Sequence, residues 1–263
     1  MLTDSQVADF ITDGFVKLEN AFPREVAEAG REILWKATGC DPDDPSTWTQ
    51  PVHRFGDFSM FPFVAAANTP ALREAFDQLV GPGRWWPRNS LGGFVIRFPS
   101  DQNPGDDGWH VDASFPSDDP DAEPFDYLRW RVNLTSKGRG LLMLFLFSDV
   151  EPDDSPTRIR VGSHLRLAKA LEPLGDKGAA VVDEPLVEVY NSTADLPEAY
   201  ATGRAGDVYL CHPFLVHAGQ AHHGKNPRFL AQPPLQTLEP CVLDRPDGAY
   251  SPVEQAIRLG LGK

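Results

Sequence analysis

Three cysteines, Cys40, Cys211 and Cys241, are few for 263 residues, and no two of them form a CxxC pair. That spacing argues against a disulfide framework or a zinc ribbon and makes a reducing cytoplasm the expected location. Basic residues are also scarce: 24 Lys and Arg against 38 Asp and Glu leave a formal charge of −14. A surface of that sign repels nucleic acid and anionic membranes, so neither is an expected partner. Long apolar runs are missing too, since the longest strongly apolar stretch, Leu141 to Phe147, is far too short to span a bilayer. The N-terminus carries Asp4, Asp9 and Asp13 where a secretory signal would have a basic region and an apolar run, so no signal peptide is expected. No internal repeat stands out.

What is present suffices for a sizeable core: 41% hydrophobic residues, with six Trp and 16 Phe. No linker divides the chain cleanly, so residues 1–263 read as one domain, a helical N-terminal part over 1–90 packing on a core over 91–240. Thr3 with Gln6 forms a capping box ahead of Val7, Phe10 and Ile11, predicting a helix that Gly14 ends. Phe15 to Leu18 reads as a short strand, and Pro23 opens a second helix to about Ala37. Thr69-Pro70, an N-cap with a proline at the first helical position, starts a third that runs to about Val80. From Leu91 onward the texture changes to short β runs separated by Gly, Pro and Asp. The predicted strands are 92–98, 109–114, 128–134, 141–148, 157–161, 186–190, 207–211, 214–218 and 228–236. Many short strands with few helices between them predict a mainly β sandwich or jelly roll with flanking helices. The acidic stretch 117–126 reads as a solvated loop or as a lid over a pocket.

Within this β region stands Trp109-His110-Val111-Asp112. On a strand, residues i and i+2 share a face, so His110 and Asp112 can offer two ligands from one strand. Two histidines and one carboxylate form the facial set that holds Fe(II) with its other coordination positions open. Taken alone, His-x-Asp also fits a surface histidine beside an acid. The segment Gly206 to Gly219 strengthens the metal reading, since it holds two further histidines, His212 and His217, five apart. Pro213 between them breaks the ladder, so only one of the two need face a metal. His222 and His223 lie in a turn-like stretch and are expected at the surface. Arg228, eleven residues after His217, is placed to grip a carboxylate.

The chain resembles the phytanoyl-CoA dioxygenase family of Fe(II)/2-oxoglutarate-dependent oxygenases. The resemblance rests on an LTxxQ helix followed by DGFVKL at the start, and on WHVD at 109–112. It continues through Ser148-Asp149-Val150, the block from Pro156 to His164, GDVYLCHPFLVHAG at 206–219, and Pro227-Arg228. These blocks occur in the family's order from residue 2 to about 230. The resemblance implies a double-stranded β-helix core, a cupin-like jelly roll. It selects His217 over His212 as the third ligand beside His110 and Asp112, makes Arg228 the 2-oxoglutarate arginine, and leaves His164 structural. Fe(II), 2-oxoglutarate and O2 are the implied cofactor and co-substrates, with succinate as co-product. The carboxylate of Asp112 favours hydroxylation or another oxidation over halogenation, for which the superfamily gives up this ligand.

The chain departs from the family at Gly219, where a hydroxyl-bearing residue is frequent; Thr157 is the expected substitute contact to the co-substrate. Trp109 and Phe115 flank the ligand segment and read either as pocket walls or as ordinary core aromatics. Arg97, Arg129, Arg131, Arg139, Arg158 and Arg160 lie on or beside predicted pocket strands. Most are expected to be solvated or paired with acids, with Arg97 or Arg158 left to bind an acidic substrate group. No basic run suits the phosphates of an acyl-CoA, so a small metabolite or natural-product intermediate is the expected substrate of a monomer or homodimer. Two rival classes remain open: a non-catalytic jelly-roll binding protein and a metal-dependent isomerase or hydrolase.

Overall fold

The computed structural model describes residues 1–118, 123 and 126–263. In chain order the elements are α1 (Asp4–Asp13), β1 (Phe15–Leu18), α2 (Arg24–Thr38), β2 (Val52–Phe55), α3 (Phe61–Ala67), α4 (Pro70–Leu79) and β3 (Phe94–Arg97). Next come β4 (Arg131–Val132), β5 (Leu141–Leu146), β6 (Arg158–Arg160), α5 (Ser163–Leu171), β7 (Ala179–Ala180) and α6 (Glu184–Ser192). The chain then runs through β8 (Glu198–Tyr200), β9 (Val208–Cys211), β10 (His217–Ala218), β11 (Arg228–Ala231), β12 (Pro234–Leu235) and α7 (Pro252–Gly260). The result is β sheet flanked by helices.

Helix boundaries follow their capping chemistry. Thr3 Oγ1 accepts from the Gln6 amide at 3.2 Å while Gln6 Oε1 accepts from the Thr3 amide at 2.9 Å. Gly14 closes α1 at φ +90°, a left-handed conformation, and a Cβ there would stand 2.5 Å from His164 Nδ1. Thr69 caps α4 ahead of Pro70, as the sequence predicts.

The larger sheet runs β1-β9-β5-β11-β3-β2, with β12 pairing β5 beside β11, and all its pairings are antiparallel. The second sheet is β10-β6-β8. β5 is buried at every position from Leu141 to Leu146, so both of its faces are covered. One core cluster joins Phe10 of α1, Leu34 of α2, Phe63 of α3, Phe76 of α4, Phe145 of β5 and Ile257 of α7. The N-terminal helices and the C-terminal helix therefore share one core.

The structure corrects several predicted strands. Residues 186–190 are helical: Pro185 opens α6, and Leu186, Val189 and Tyr190 recur at the spacing of one helix face, all buried. The apolar alternation there imitates a strand. Residues 109–114 form no continuous strand. His110 pairs with His217 and Phe115 with Arg131, while the carbonyl of Ala113 between them is taken by Arg139 Nη2 at 2.8 Å. Of 128–134 only Arg131–Val132 is a strand, since 127–129 is a turn. Most of the predicted loop or lid at 117–126 lies outside the described residues. No helix among the described residues is long and apolar enough to cross a membrane.

Candidate metal centre and its two cavities

His110 and His217 meet through reciprocal backbone hydrogen bonds of 3.0 and 2.9 Å, which hold their ring centroids 4.5 Å apart. This bridge fastens the 109–112 segment to the edge of the second sheet at β10. Asp112, two residues on, turns its carboxylate back toward both rings. One ligand atom from each of His110, Asp112 and His217 lies within 4.8 Å of the others.

Each ring is oriented by its δ nitrogen, His110 against the Gly108 carbonyl at 2.8 Å and His217 against the Leu215 carbonyl at 3.0 Å. Donation from Nδ1 leaves Nε2 as the lone-pair nitrogen of a neutral ring. Burial pushes the His217 imidazolium down to about 4, a shift to which the neighbouring His110 adds. Burial by itself would raise the Asp112 carboxyl, but Arg139 and the two imidazoles outweigh it and hold the group below the usual carboxylate range. At neutral pH the cluster thus offers an anionic oxygen and an uncharged imidazole nitrogen without prior proton loss.

Arg228 is buried on β11, where its guanidinium donates to the Ser155 carbonyl. Burial, and after it the charge of Arg97, pushes its pKa well below the ordinary arginine value, and its Nε has no partner among the described residues. A buried cation so poorly neutralised is a strong site for an incoming anion. Arg97 stands opposite Arg228 in the β3–β11 register and donates to Asp106 Oδ2 at 2.6 Å; Arg54 donates to the same oxygen. Together with Val95, His110, Thr157, His217, Gly219 and Gln232, these residues line a cavity of about 200 Å³. Because His217 belongs to the second sheet and Arg228 to the larger one, this cavity lies between the sheets.

A larger cavity of about 810 Å³ is lined by both His110 and Asp112. Phe55, Phe94, Tyr127, Pro233 and Pro234 give it apolar walls, and Arg88, Arg139, Gln232 and Gln236 supply polar groups.

The predicted site residues separate on this map. His110, Asp112, His217, Arg228, Thr157 and Gly219 converge. Arg97 joins the smaller cavity, next to Arg228, and does not line the larger one. A Cβ on Gly219 would lie 2.5 Å from Arg97 Nη2 and 2.8 Å from the Asp106 carbonyl oxygen, so Arg97 fills the space a side chain at 219 would need. Trp109, Phe115 and Arg158 line neither cavity. Trp109 lies under the guanidinium groups of Arg158 and Arg160, at 4.6 and 4.1 Å. Arg158 ties loops together through the carbonyls of Gly219 and Asp107, at 3.1 and 2.7 Å. Phe115 packs beneath Lys137.

His212 is buried away from the cluster, hydrogen-bonded to the Phe214 amide and the Val253 carbonyl, and His164 is buried against the Ile11 carbonyl. His222, expected at the surface, is buried instead, because both ring nitrogens close the turn through Asn226 and Gly224. Sequence reasoning missed Arg54, Asp106, Arg139 and Gln232 as parts of the site. Only Arg139 carried a signal, as one of a group of arginines expected to pair with acids.

Residues 10–230 match the phytanoyl-CoA dioxygenase (PhyH) family. The chain belongs to this family. No functionally curated protein matches this chain in sequence. Among solved structures it is similar to the non-haem α-ketoglutarate-dependent carbocyclase SnoK from nogalamycin biosynthesis, at TM-score 0.56 and 16% identity, covering 90% of this chain and 84% of that one. It is also similar to HygX from Streptomyces hygroscopicus, solved with nickel, 2-oxoglutarate and hygromycin B, at TM-score 0.52 and 19% identity over 88% and 86% of the two chains. A third is the α-ketoglutarate-dependent epimerase SnoN, also from nogalamycin biosynthesis, at TM-score 0.54 and 16% identity over 87% and 80%. At these identities the likeness is one of fold. Family membership sets the chain among iron- and 2-oxoglutarate-dependent oxygenases.

Proposed function

We propose that this chain oxidises a small molecule, a metabolite or natural-product intermediate, at an Fe(II) centre with 2-oxoglutarate and O2 as co-substrates. The observation that carries the reading is the His110-Asp112-His217 cluster opening onto a cavity that ends at the buried Arg228. The donor set fits the ion: two imidazole nitrogens and one carboxylate oxygen, on one side, suit Fe(II) and leave positions free. The Arg228 guanidinium, short of counter-charge, fits the distal carboxylate of 2-oxoglutarate.

When bound, the iron and its co-substrates would supply the oxidising power and release CO2 and succinate. The protein's own part is placement. His110, Asp112 and His217 would hold the ion, with Arg139 fixing the Asp112 carboxylate. Arg228 would orient the co-substrate, with Thr157 beside it, and the backbone at Gly219 keeps room for Arg97. The larger cavity would take the substrate, and its volume is that of a drug-sized ligand site. SnoN and HygX were solved with nogalamycin RO and hygromycin B, which is consistent with a substrate of that size. Hydroxylation is the simplest outcome at such a centre; the words carbocyclase and epimerase in two of the neighbours' descriptions make ring closure and epimerisation the alternatives.

We further read the two sheets as a double-stranded β-helix and residues 1–263 as one domain, since helices from both ends share one core. The three free cysteines agree with a cytoplasmic setting.

The test is spectroscopic. Anaerobic addition of Fe(II) and 2-oxoglutarate should give a visible charge-transfer band, and oxygen should then yield succinate. Bound metal with no band and no succinate would sink the oxygenase reading and favour a binding protein or a metal-dependent isomerase or hydrolase.

A further inference from the structure

The side-chain amide of Gln232 stands 3.0 Å from His217 Nε2. His217 Nδ1 donates to the Leu215 carbonyl, so Nε2 carries the lone pair that accepts from this amide. That lone pair is the one a metal ion requires. The Gln232 backbone is fixed, its N–H donating to the Gly93 carbonyl at 3.0 Å, so the side chain is the part free to move. Among the described residues the bond to His217 is the one hydrogen bond its amide makes. Arg139 differs, since its two terminal nitrogens already donate to Asp112 and Ala113.

Gln232 also occupies a junction. It lines both the 200 Å³ cavity and the 810 Å³ cavity, as do Arg54, Val95 and His110. These four residues form the neck between the two spaces. An amide displaced from His217 at this point needs a new acceptor, water or an oxygen of a bound molecule, because an unpaired half-buried donor is costly. A carboxylate oxygen reaching the neck from the smaller cavity meets that need.

We propose that Gln232 is a positioning residue that works as a latch: its amide holds His217 Nε2 in the metal-free protein, yields it to the metal, and then donates to the co-substrate's oxygen at the neck. The proposal rests on the metal and co-substrate reading above. It makes metal and 2-oxoglutarate binding depend on the same side chain with opposite sign. The metal must break the latch, whereas the co-substrate gains the freed donor.

The test compares wild type with Gln232→Met, which keeps the length and removes the donor, by calorimetric titration of the full chain. Ni(II) is titrated first and 2-oxoglutarate is then titrated onto the Ni(II)-loaded protein, so no turnover is involved. From the net worth of one hydrogen bond, Ni(II) should bind Gln232→Met about two- to tenfold tighter, and 2-oxoglutarate about two- to tenfold weaker. Gln232→Asn, whose amide is one methylene too short to reach, should follow Gln232→Met and serves in its place if that variant does not fold. General damage to the site would weaken both ligands. Shifts that are absent, or in one direction, or in one ligand alone, overturn the latch. Failure of the wild type to bind Ni(II) at all overturns the underlying metal reading instead.

Discussion

Arg139 Nη1 donates to Asp112 Oδ2 at 3.1 Å, and the other oxygen of the same carboxylate, Oδ1, faces His217 Nε2 at 3.9 Å. The ion pair therefore assigns the two oxygens of Asp112 to different tasks, one anchored and one presented to the cluster. Outer contacts of this kind commonly govern metal affinity. Replacing Arg139 by Met should weaken Ni(II) or Co(II) binding by about 10- to 100-fold with the fold intact. Titration calorimetry would read the loss directly, and an unchanged affinity would show that Asp112 needs no anchor. Asp112→Ala, which removes the oxygen itself, should abolish succinate formation.

Arg228 should control co-substrate binding and leave the metal alone. Removing one partner of a desolvated charged contact costs roughly 2–5 kcal/mol. Arg228→Met should lose that much 2-oxoglutarate affinity, while Ni(II) binding in the absence of 2-oxoglutarate stays near wild type. Equal losses for both ligands would point to general disruption of the sheet.

Gly219 should resist substitution by a hydroxyl-bearing residue. A Cβ there meets Arg97 Nη2 at 2.5 Å and a backbone oxygen at 2.8 Å, and backbone yields less readily than a side-chain tip. Gly219→Ser should cost about 1–3 kcal/mol of stability by overpacking and weaken 2-oxoglutarate binding as Arg97 is pushed aside. Urea denaturation of the variant checks the first expectation.

Buried histidines outside the metal cluster, His164 and His212 among them, limit the stability of the fold in acid. Burial holds His164 down to about 4 and His212 well below its ordinary 6.5. Because these folded-state values are lowered, the unfolded chain binds more protons from pH 6.5 downward. Stability is then full above 6.5 and is lost as pH falls toward 4, with a slope of about 1.4 kcal/mol per pH unit for each histidine. Urea denaturation at steps between pH 7 and pH 4.5 should show that decline, and His164→Asn should remove one histidine's share of the slope.

Glu254 is fully buried, yet it accepts from Arg84 at 2.6 Å and Arg245 at 3.1 Å and from the amides of Val242 and Ser251. Burial would raise its carboxyl, but these donors outweigh it and bring the group down to about 2. Glu254→Ala leaves two arginines facing an empty acceptor and should destabilise the fold by roughly 3–5 kcal/mol. A loss below 1 kcal/mol in urea denaturation would mean that solvent replaces the carboxylate without penalty.

The sequence by itself determined the parts of this protein that depend on local rules. Capping residues marked α1 and α4, a continuous apolar run marked β5, and the order of short motifs marked the family and pointed to His110, Asp112, His217 and Arg228 as the proposed site. Local rules also misled where two periodicities overlap: Leu186 to Tyr190 alternates like a strand but is a helix opened by Pro185. Helix α7 carries the same kind of local signature, Ser251-Pro252 with Glu254. The tertiary structure alone decided which side chains share a cavity. Arg97 meets Arg228 through β-sheet register, Arg139 reaches Asp112 across 27 residues of sequence, and Gln232 reaches His217 across 15. Contacts of that kind depend on how sheets stack and where loops return, and no spacing along the chain encodes them. Motif order could therefore name the chemistry, whereas the neck between the cavities, and with it any reading of Gln232, required the fold.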